Sequence, residues 1–166
     1  MQLFGSKKNI YESIAKEAYR GHPMDKDLVE DMRRNDDVAV FEAFAFHILS
    51  HTERREEREI LKILLYARLK EDHFHRIHFY EKDLLMIGRL EKYVAKRVDG
   101  GAFKNMDPRV VIYAFQAMIS NLAIYKNVMK KMDFVTTKEL CYNCANIFVK
   151  GLCRKTDGQD SPAAQT

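Results

Sequence analysis

Histidine pairs are the first residues in this sequence whose spacing is suited to chemistry. His47 and His51 are four positions apart, so in a helix they lie on one face. A second group contains His73, His75 and His78, of which only the last two are well spaced for one face. Helical histidine pairs can bind zinc, but no Glu-x-x-His pairing or carboxylate partner completes a site here. We therefore expect no metal, and histidines that are solvated or hydrogen-bonded.

The cysteines include one closely spaced pair, Cys141-x-x-Cys144, set within a predicted helix. A zinc site would need one or two further ligands, and a redox pair normally opens a helix that follows a strand. Cys153 follows nearby in a predicted turn. We expect ordinary buried thiols, because free cysteine is among the most often buried residue types.

Motifs for catalysis are missing from the sequence. It contains no glycine-rich phosphate loop, no nucleophile elbow and no metalloprotease helix. The acidic residues lie mostly on helix faces predicted to be solvated. We therefore expect a protein that is not an enzyme and needs no cofactor.

The composition is that of one globular, helical domain. Of 166 residues, 46% are apolar and 31% charged, and only seven glycines and three prolines interrupt the chain. No apolar run approaches the ~20 residues of a membrane span, so no membrane partner is expected. The net charge of +4 is too mild to indicate nucleic acid by itself. An odd number of cysteines and no visible export signal predict a cytoplasmic location.

Apolar periodicity predicts an all-α bundle of about six to seven helices and no strand. The segment after Asp36 or Asp37 is apolar nearly all round, which is typical of a buried helix. The segment that starts at Thr52 begins with charges of both signs, as on a solvated helix start. The predicted helices cover 7–20, a stretch that opens at 25 and pauses at 35–37, and then 38–50, 52–67, 71–98, 108–132 and 136–152.

Capping residues mark the last two helices most clearly. Asp107 is predicted to cap a helix whose first residue is Pro108, a position where the missing N–H of proline costs nothing. Thr136 or Thr137 caps the final helix, and Glu139 is near the capping-box position.

The last two long helices carry more apolar surface than one small domain needs. That excess predicts burial against a second copy, so that these two helices form a four-helix bundle in a homodimer. The residues predicted at this interface are Phe115, Met118, Leu122, Tyr125, Leu140, Cys144, Ile147 and Phe148.

The opening residues 3–11, Leu-Phe-Gly-Ser-Lys-Lys-Asn-Ile-Tyr, resemble the joint of TetR-type transcriptional repressors. In that family the joint ends the recognition helix and starts the helix that links the DNA-binding headpiece to the body. The residues that match in type and spacing are Phe4, Ser6, Lys7, Ile10 and Tyr11.

A second stretch, Gly101-Ala102-Phe103 followed by Asp107-Pro108, resembles the family's turn into its first dimer helix. The two stretches occur in the family's order and about one body length apart. The remainder matches in helix order and length. Together they imply a ligand-sensing and dimerising body, with residues 22–154 as that domain. Residues 155–166 are mostly polar and small, and this composition predicts a disordered tail.

The sequence departs from the family at its start. Members of the family have about three helices before the position of Phe4, including the helix-turn-helix that enters the major groove. Here the resemblance implies that 1–21 is a remnant of the headpiece with its linking helix. Lys7 and Lys8 could contact DNA phosphates, which gives position and not sequence. We therefore expect base-specific DNA binding only through a headpiece of which residues 1–21 retain no more than the end.

The resemblance also implies a pocket for a small, partly apolar effector between the middle helices and the first dimer helix. Apolar walls would supply affinity and a few polar groups would fix orientation. The same side chains could equally be core residues satisfied by their neighbours. The residues predicted to line the pocket are Phe44, His47, Ile48, Leu64, His78, Phe79, Tyr113, Gln116 and Ser120.

Three other functions stay open on the sequence. The chain could be a stand-alone helical adaptor, or a metal- or redox-binding helical protein that uses its histidine and cysteine clusters. An enzyme acting in the pocket is the third possibility, and no motif favours it.

Overall fold

The computed structural model describes residues 26–69 and 81–154, and these form an all-α bundle, as predicted. The described residues contain six α-helices and no strand. They are α1 (Lys26–Arg34), α2 (Asp37–His51), α3 (Arg55–Leu69), α4 (Glu81–Asp99), α5 (Pro108–Ala123) with a following π-helical turn (Ile124–Val128), and α6 (Thr137–Leu152). The predicted helix over 7–20, the predicted tail 155–166 and the first ten residues of the predicted helix 71–98 lie outside the described residues. None of the described helices is both long enough and apolar enough to cross a membrane.

Helix starts follow the predicted capping residues. The Asp36 side chain accepts a hydrogen bond from the Ala39 amide at 3.0 Å, so Asp36 rather than Asp37 caps α2. Asp107 caps α5 in the same way. Thr136 and Glu139 form the reciprocal capping box of α6. Each cap satisfies an amide that the first helical turn leaves without a partner.

The predicted helix over 108–132 is too long. The α-helix ends at Ala123, a π-helical turn follows to Val128, and Lys130 then adopts a left-handed backbone conformation with φ 55°. No glycine or proline marks this end in the sequence, so the pattern predicted an uninterrupted helix.

The predicted start of the fourth helical segment at Thr52 is also wrong. Residues 52–54 form a turn, and α3 starts at Arg55. The Thr52 hydroxyl donates to the carbonyl of Leu49 at 2.9 Å, which turns this side chain back toward the end of α2. Charged pairs of the predicted type do follow, with Arg54 beside Glu57.

Helix α2 is the centre of the bundle and packs against α1, α5 and α6. Its aromatic side chains meet those of the other helices: Phe41 lies edge-on to Phe115, with ring centroids 4.9 Å apart, and Phe115 is 4.9 Å from Phe148. Aromatic pairs at such distances contribute about 0.5–1.5 kcal/mol each beyond area burial. The burial of α2 agrees with its nearly all-apolar sequence.

A bidentate ion pair joins the start of α2 to the end of α4. The Arg97 guanidinium donates from Nε and Nη2 to the two carboxylate oxygens of Asp37, at 2.8 and 2.7 Å. Tyr93 donates its hydroxyl to the same carboxylate at 2.5 Å. The Arg97 carbon Cζ lies 5.7 Å from the Phe103 ring centre, so the cation also packs on an aromatic face.

The connection between α4 and α5 pairs with the end of α6. Phe103 and Cys153 form an isolated antiparallel bridge, in which the Lys104 amide donates to the Leu152 carbonyl at 2.8 Å. The Lys104 ammonium donates to the Gly151 carbonyl at 2.6 Å, which satisfies one of the orphan carbonyls at the end of α6. These contacts fix the start of α5 relative to α6.

Candidate self-association surface

Helix α5 carries no charged residue between Arg109 and Lys126. One side of the helix belongs to the core of its own chain. The buried residues on that side are Val111, Ile112, Phe115, Ile119 and Ala123. Because the remaining sides are equally uncharged, α5 differs from an ordinary surface helix, whose outer face is polar.

The solvent side of α5 forms a stripe that we call the α5 stripe. Its members are exposed, recur at helical spacing and carry no charge. They are Val110, Tyr113, Ala114, Ala117, Asn121 and Tyr125. Val110 is 59% exposed and Tyr113 48% exposed, although both have large apolar side chains. Ala114 and Ala117 are small, and small side chains at a contact allow two helix axes to approach closely.

Further apolar side chains are exposed on α6 and on the loop that precedes it. Ile147 is 72% exposed and Phe134 is 83% exposed, and Tyr142 is exposed between them in the sequence. Lys138 and Lys150 are also exposed on α6, so its outer side is more polar than the α5 stripe.

The residues predicted at a dimer interface have three different environments. Tyr125 and Ile147 are exposed. Met118, Leu122 and Phe148 are partly buried and pack against the core. The side chains that lie within the core of their own chain are Phe115, Leu140 and Cys144.

Leu140 and Cys144 of α6 lie in the core, where α6 packs against α2. Sequence reasoning missed Val110, Ala117 and Tyr142 as exposed candidates and assigned Tyr113 to the pocket. The absence of charge between Arg109 and Lys126 is the signal that could have identified the outer face of α5.

The residues predicted to line a pocket are brought together only in part. Phe44 is buried and its ring centre is 5.9 Å from that of Phe115, so it contributes to the aromatic core. His47 and Ile48 on α2 are partly exposed, as are Gln116 and Ser120 on α5. Tyr113 lies on the α5 stripe. The Leu64 side chain, His78 and Phe79 lie outside the description, as do the predicted phosphate contacts Lys7 and Lys8.

A groove of about 370 Å³ lies at the connection between α4 and α5. It is lined by Ala95, Val98, Asp99, Asn105, Met106, Asp107 and Pro108. None of the residues predicted to bind an effector lines this groove. The Asp107 carboxylate in it already accepts the Arg109 amide at 2.8 Å, as the cap of α5.

The predicted histidine pair does share a face of α2. The His47 and His51 rings meet edge to face, 4.6 Å between centroids, and His51 Nδ1 lies 2.9 Å from a carboxylate oxygen of Glu57. That carboxylate comes from α3 and was not expected from the sequence. Within 26–69 and 81–154, no three His, Cys, Asp or Glu side chains are arranged to hold a metal ion. The second cluster, His73, His75 and His78, falls outside those ranges.

Cys141 and Cys144 are buried and carry free thiols, as expected for packing residues. Burial raises the pKa of Cys141 to about 12 and also raises the pKa of Cys144. The thiolate is the reactive and metal-binding form, so burial disfavours both kinds of chemistry at this pair.

Comparisons with models of protein families, with curated proteins and with solved structures find no match to this chain. Function is therefore inferred from the surfaces and contacts of the molecule. Among the described residues, the α5 stripe departs most from an ordinary solvated surface.

Proposed function

We propose that this chain is the regulatory body of a TetR-type transcriptional regulator, a cytoplasmic protein that forms a homodimer and binds a small effector. The α5 stripe is the observation that carries the proposal. A helix with no charge between Arg109 and Lys126 leaves an uncharged face in water, and pairing with another surface removes that face from water. Burial of apolar surface contributes about 25 cal/mol per Å².

A second copy of the chain suits the α5 stripe better than a different partner does. In a two-fold symmetric dimer the same patch faces itself, so any charge on it meets its own copy near the axis. Like charges brought together across an interface cost several kcal/mol. A stripe with no charge, and with Ala114 and Ala117 at its middle, is free of that cost and lets the two α5 helices approach closely.

Effector binding is proposed for the region where α2 and α5 pack together. His47 on α2 and Gln116 and Ser120 on α5 are polar and partly exposed, which supports a site where apolar walls carry a few polar groups. An effector bound there would bias the relative pose of the two α5 helices. In an intact regulator that pose sets the spacing of two recognition helices against DNA half-sites.

Introducing a charge at the middle of the α5 stripe tests the proposal. Ala117→Glu places two carboxylates opposite each other in a two-fold dimer, and we expect the dimer to weaken at least ~100-fold, since such juxtaposition costs several kcal/mol. Sedimentation velocity over a concentration series measures the dissociation constant. Ile63→Glu is the matched control, because it introduces the same charge at an exposed apolar position on α3. Equal dimerisation of Ala117→Glu and Ile63→Glu would contradict the assignment of the α5 stripe.

A stand-alone helical adaptor is the second candidate, and the exposure of Phe134 and Ile147 favours it. Both side chains lie off the α5 stripe and offer apolar contacts to a different protein. A chain that stays monomeric while Phe134→Ser or Ile147→Ser abolishes binding of another protein would support the adaptor over the regulator.

A further inference from the structure

The end of α5 has an unusual backbone. In the π-helical turn the Met129 amide donates to the Ile124 carbonyl at 2.9 Å, and the Lys131 amide donates to the Tyr125 carbonyl at 3.0 Å. Lys130 then adopts a left-handed conformation with φ 55°. Both features are unfavourable for ordinary L-residues, and π turns inside α-helices occur frequently at functional sites.

A buried hydrogen-bond cluster holds this turn to the end of α2. Asn127 is 4% exposed, and its Nδ2 donates to the Thr52 hydroxyl at 2.6 Å and to the Leu49 carbonyl at 3.2 Å. The Thr52 hydroxyl donates to the same Leu49 carbonyl. Thr52 is therefore acceptor and donor in one chain of bonds between the turn 52–54 and the π turn.

The turn 52–54 also contacts the start of α6. The Thr137 hydroxyl donates to a carboxylate oxygen of Glu53. Within the α5–α6 connection itself, Lys126 donates from Nζ to the Val135 carbonyl at 2.5 Å. One turn between α2 and α3 thus holds both ends of the α5–α6 connection. Strained backbone persists where surrounding contacts over-determine it, and here those contacts come from a different element.

We propose that the π turn is a regulatory joint, in which movement of the turn 52–54 releases Asn127, and the π turn then relaxes toward α-helical geometry. A narrower turn changes the direction in which later side chains leave the helix, so Tyr125 and Met129, both exposed, would be re-aimed. What this joint regulates rests on the proposed function: Tyr125 belongs to the α5 stripe, and the turn 52–54 directly follows α2, which carries the proposed effector residue His47.

Hydrogen exchange on the full chain tests the joint through Thr52→Val, which removes the hydroxyl and keeps the side-chain volume. We expect the Met129 and Lys131 amides to exchange about 5-fold faster than in the unchanged chain, since one hydrogen bond contributes about 1 kcal/mol and ~1.4 kcal/mol is a factor of ten. Amides of the α6 core, at Cys141 and Ala145, are expected to keep their rates. Unchanged rates at Met129 and Lys131, or faster exchange spread evenly to α6, would overturn the joint.

Asn127→Ala is the second variant and acts on the other end of the same bonds. It is expected to produce the same local pattern as Thr52→Val, and the double variant should add little, because residues in one network are not additive. Asn146→Ala is the matched control, since its side-chain amide also donates to a backbone carbonyl, that of Tyr142 at 2.9 Å, but within a single helix. Additive effects of Thr52→Val and Asn127→Ala would contradict a shared joint.

The dimer dissociation constant of Thr52→Val separates this inference from the proposed function. A change of at least ~3-fold relative to Asn146→Ala is expected if the joint re-aims the α5 stripe, and even weak coupling energies give such factors. A dimer unaffected by Thr52→Val would overturn the regulatory role. A monomeric chain that keeps the local exchange pattern would refute the proposed function and support the joint.

Discussion

Asp37 is the residue through which the start of α2 and the end of α4 are joined. Its carboxylate accepts two hydrogen bonds from Arg97 and one from Tyr93. The Asp37 side chain is 12% exposed and the Arg97 side chain is 23% exposed. Burial of the Asp37 carboxylate carries a desolvation cost, and the Arg97 guanidinium offsets that cost. Removing the guanidinium therefore leaves an unpaired buried charge.

Arg97→Met removes the cation and keeps much of the aliphatic stem. We expect the free energy of unfolding to fall by about 2 kcal/mol, less than the ~3–5 kcal/mol seen for fully buried pairs, because this pair is partly solvated. Urea unfolding measures the loss. Arg109→Met is the control: its guanidinium is 78% exposed and 4.0 Å from Glu91, and pairs of that kind contribute ~0–1 kcal/mol. Equal losses in both variants would refute a structural role for the Asp37 ion pair.

Tyr93 makes the stability depend on alkaline pH. Burial and then the hydrogen bond to Asp37 raise the pKa of Tyr93 above its ordinary value of 10.0. The folded chain therefore keeps the phenol neutral at a pH where the unfolded chain ionises it. The resulting stabilisation is fully present below pH 10 and is lost as pH rises further toward the folded-state pKa.

Denaturant midpoints measured between about pH 8 and about pH 11, a range that includes the ordinary tyrosine pKa of ~10, test this direction. The unchanged chain is expected to lose stability more steeply than Tyr93→Phe as the pH rises. Parallel slopes in the two proteins would show that the Tyr93 phenol ionises equally in both states.

Among the helix ends, that of α5 is followed by Lys130, whose left-handed backbone conformation is unfavourable for a residue other than glycine. Lys130→Gly is expected to raise the free energy of unfolding by about 0.5–1 kcal/mol, because glycine adopts a φ of 55° without steric cost, partly offset by its larger unfolded-state entropy. Thermal or urea unfolding measures the gain. Lys131→Gly, one position later, is expected to be neutral or destabilising. A stabilisation of the same size at both positions would argue against strain at Lys130.

Helix starts were predictable from sequence and helix ends less so. Asp107 and Thr136 cap through side chains that contact amides two or three positions away, so the signal is local. The end of α5 depends on Asn127 contacting Thr52, 75 positions away in the sequence. No local pattern contains that bond, and Lys130 takes a conformation for which sequence rules expect glycine or asparagine.

At the scale of the whole molecule, the predictable part was the fold class and the unpredictable part was the use of each helix face. The aromatic residues of α2 pointed to a buried helix, and Phe41 and Phe44 are buried. Phe115 and Cys144 were expected at an interface and lie in the core, because a helix that is apolar all round gives no signal of which side meets its own chain. The charge-free run of α5 is more informative, because it predicts that the side of α5 facing away from its own core is also uncharged.

The mass of the unmodified chain in solution distinguishes a homodimeric regulatory body from a monomer. Light scattering during gel filtration at micromolar concentration is expected to give twice the 19.5 kDa of one chain, because a standard interface buries about 800 Å² per partner and the α5 stripe supplies an uncharged centre for it. A mass of one chain at the highest concentration reached would contradict the dimeric regulatory body.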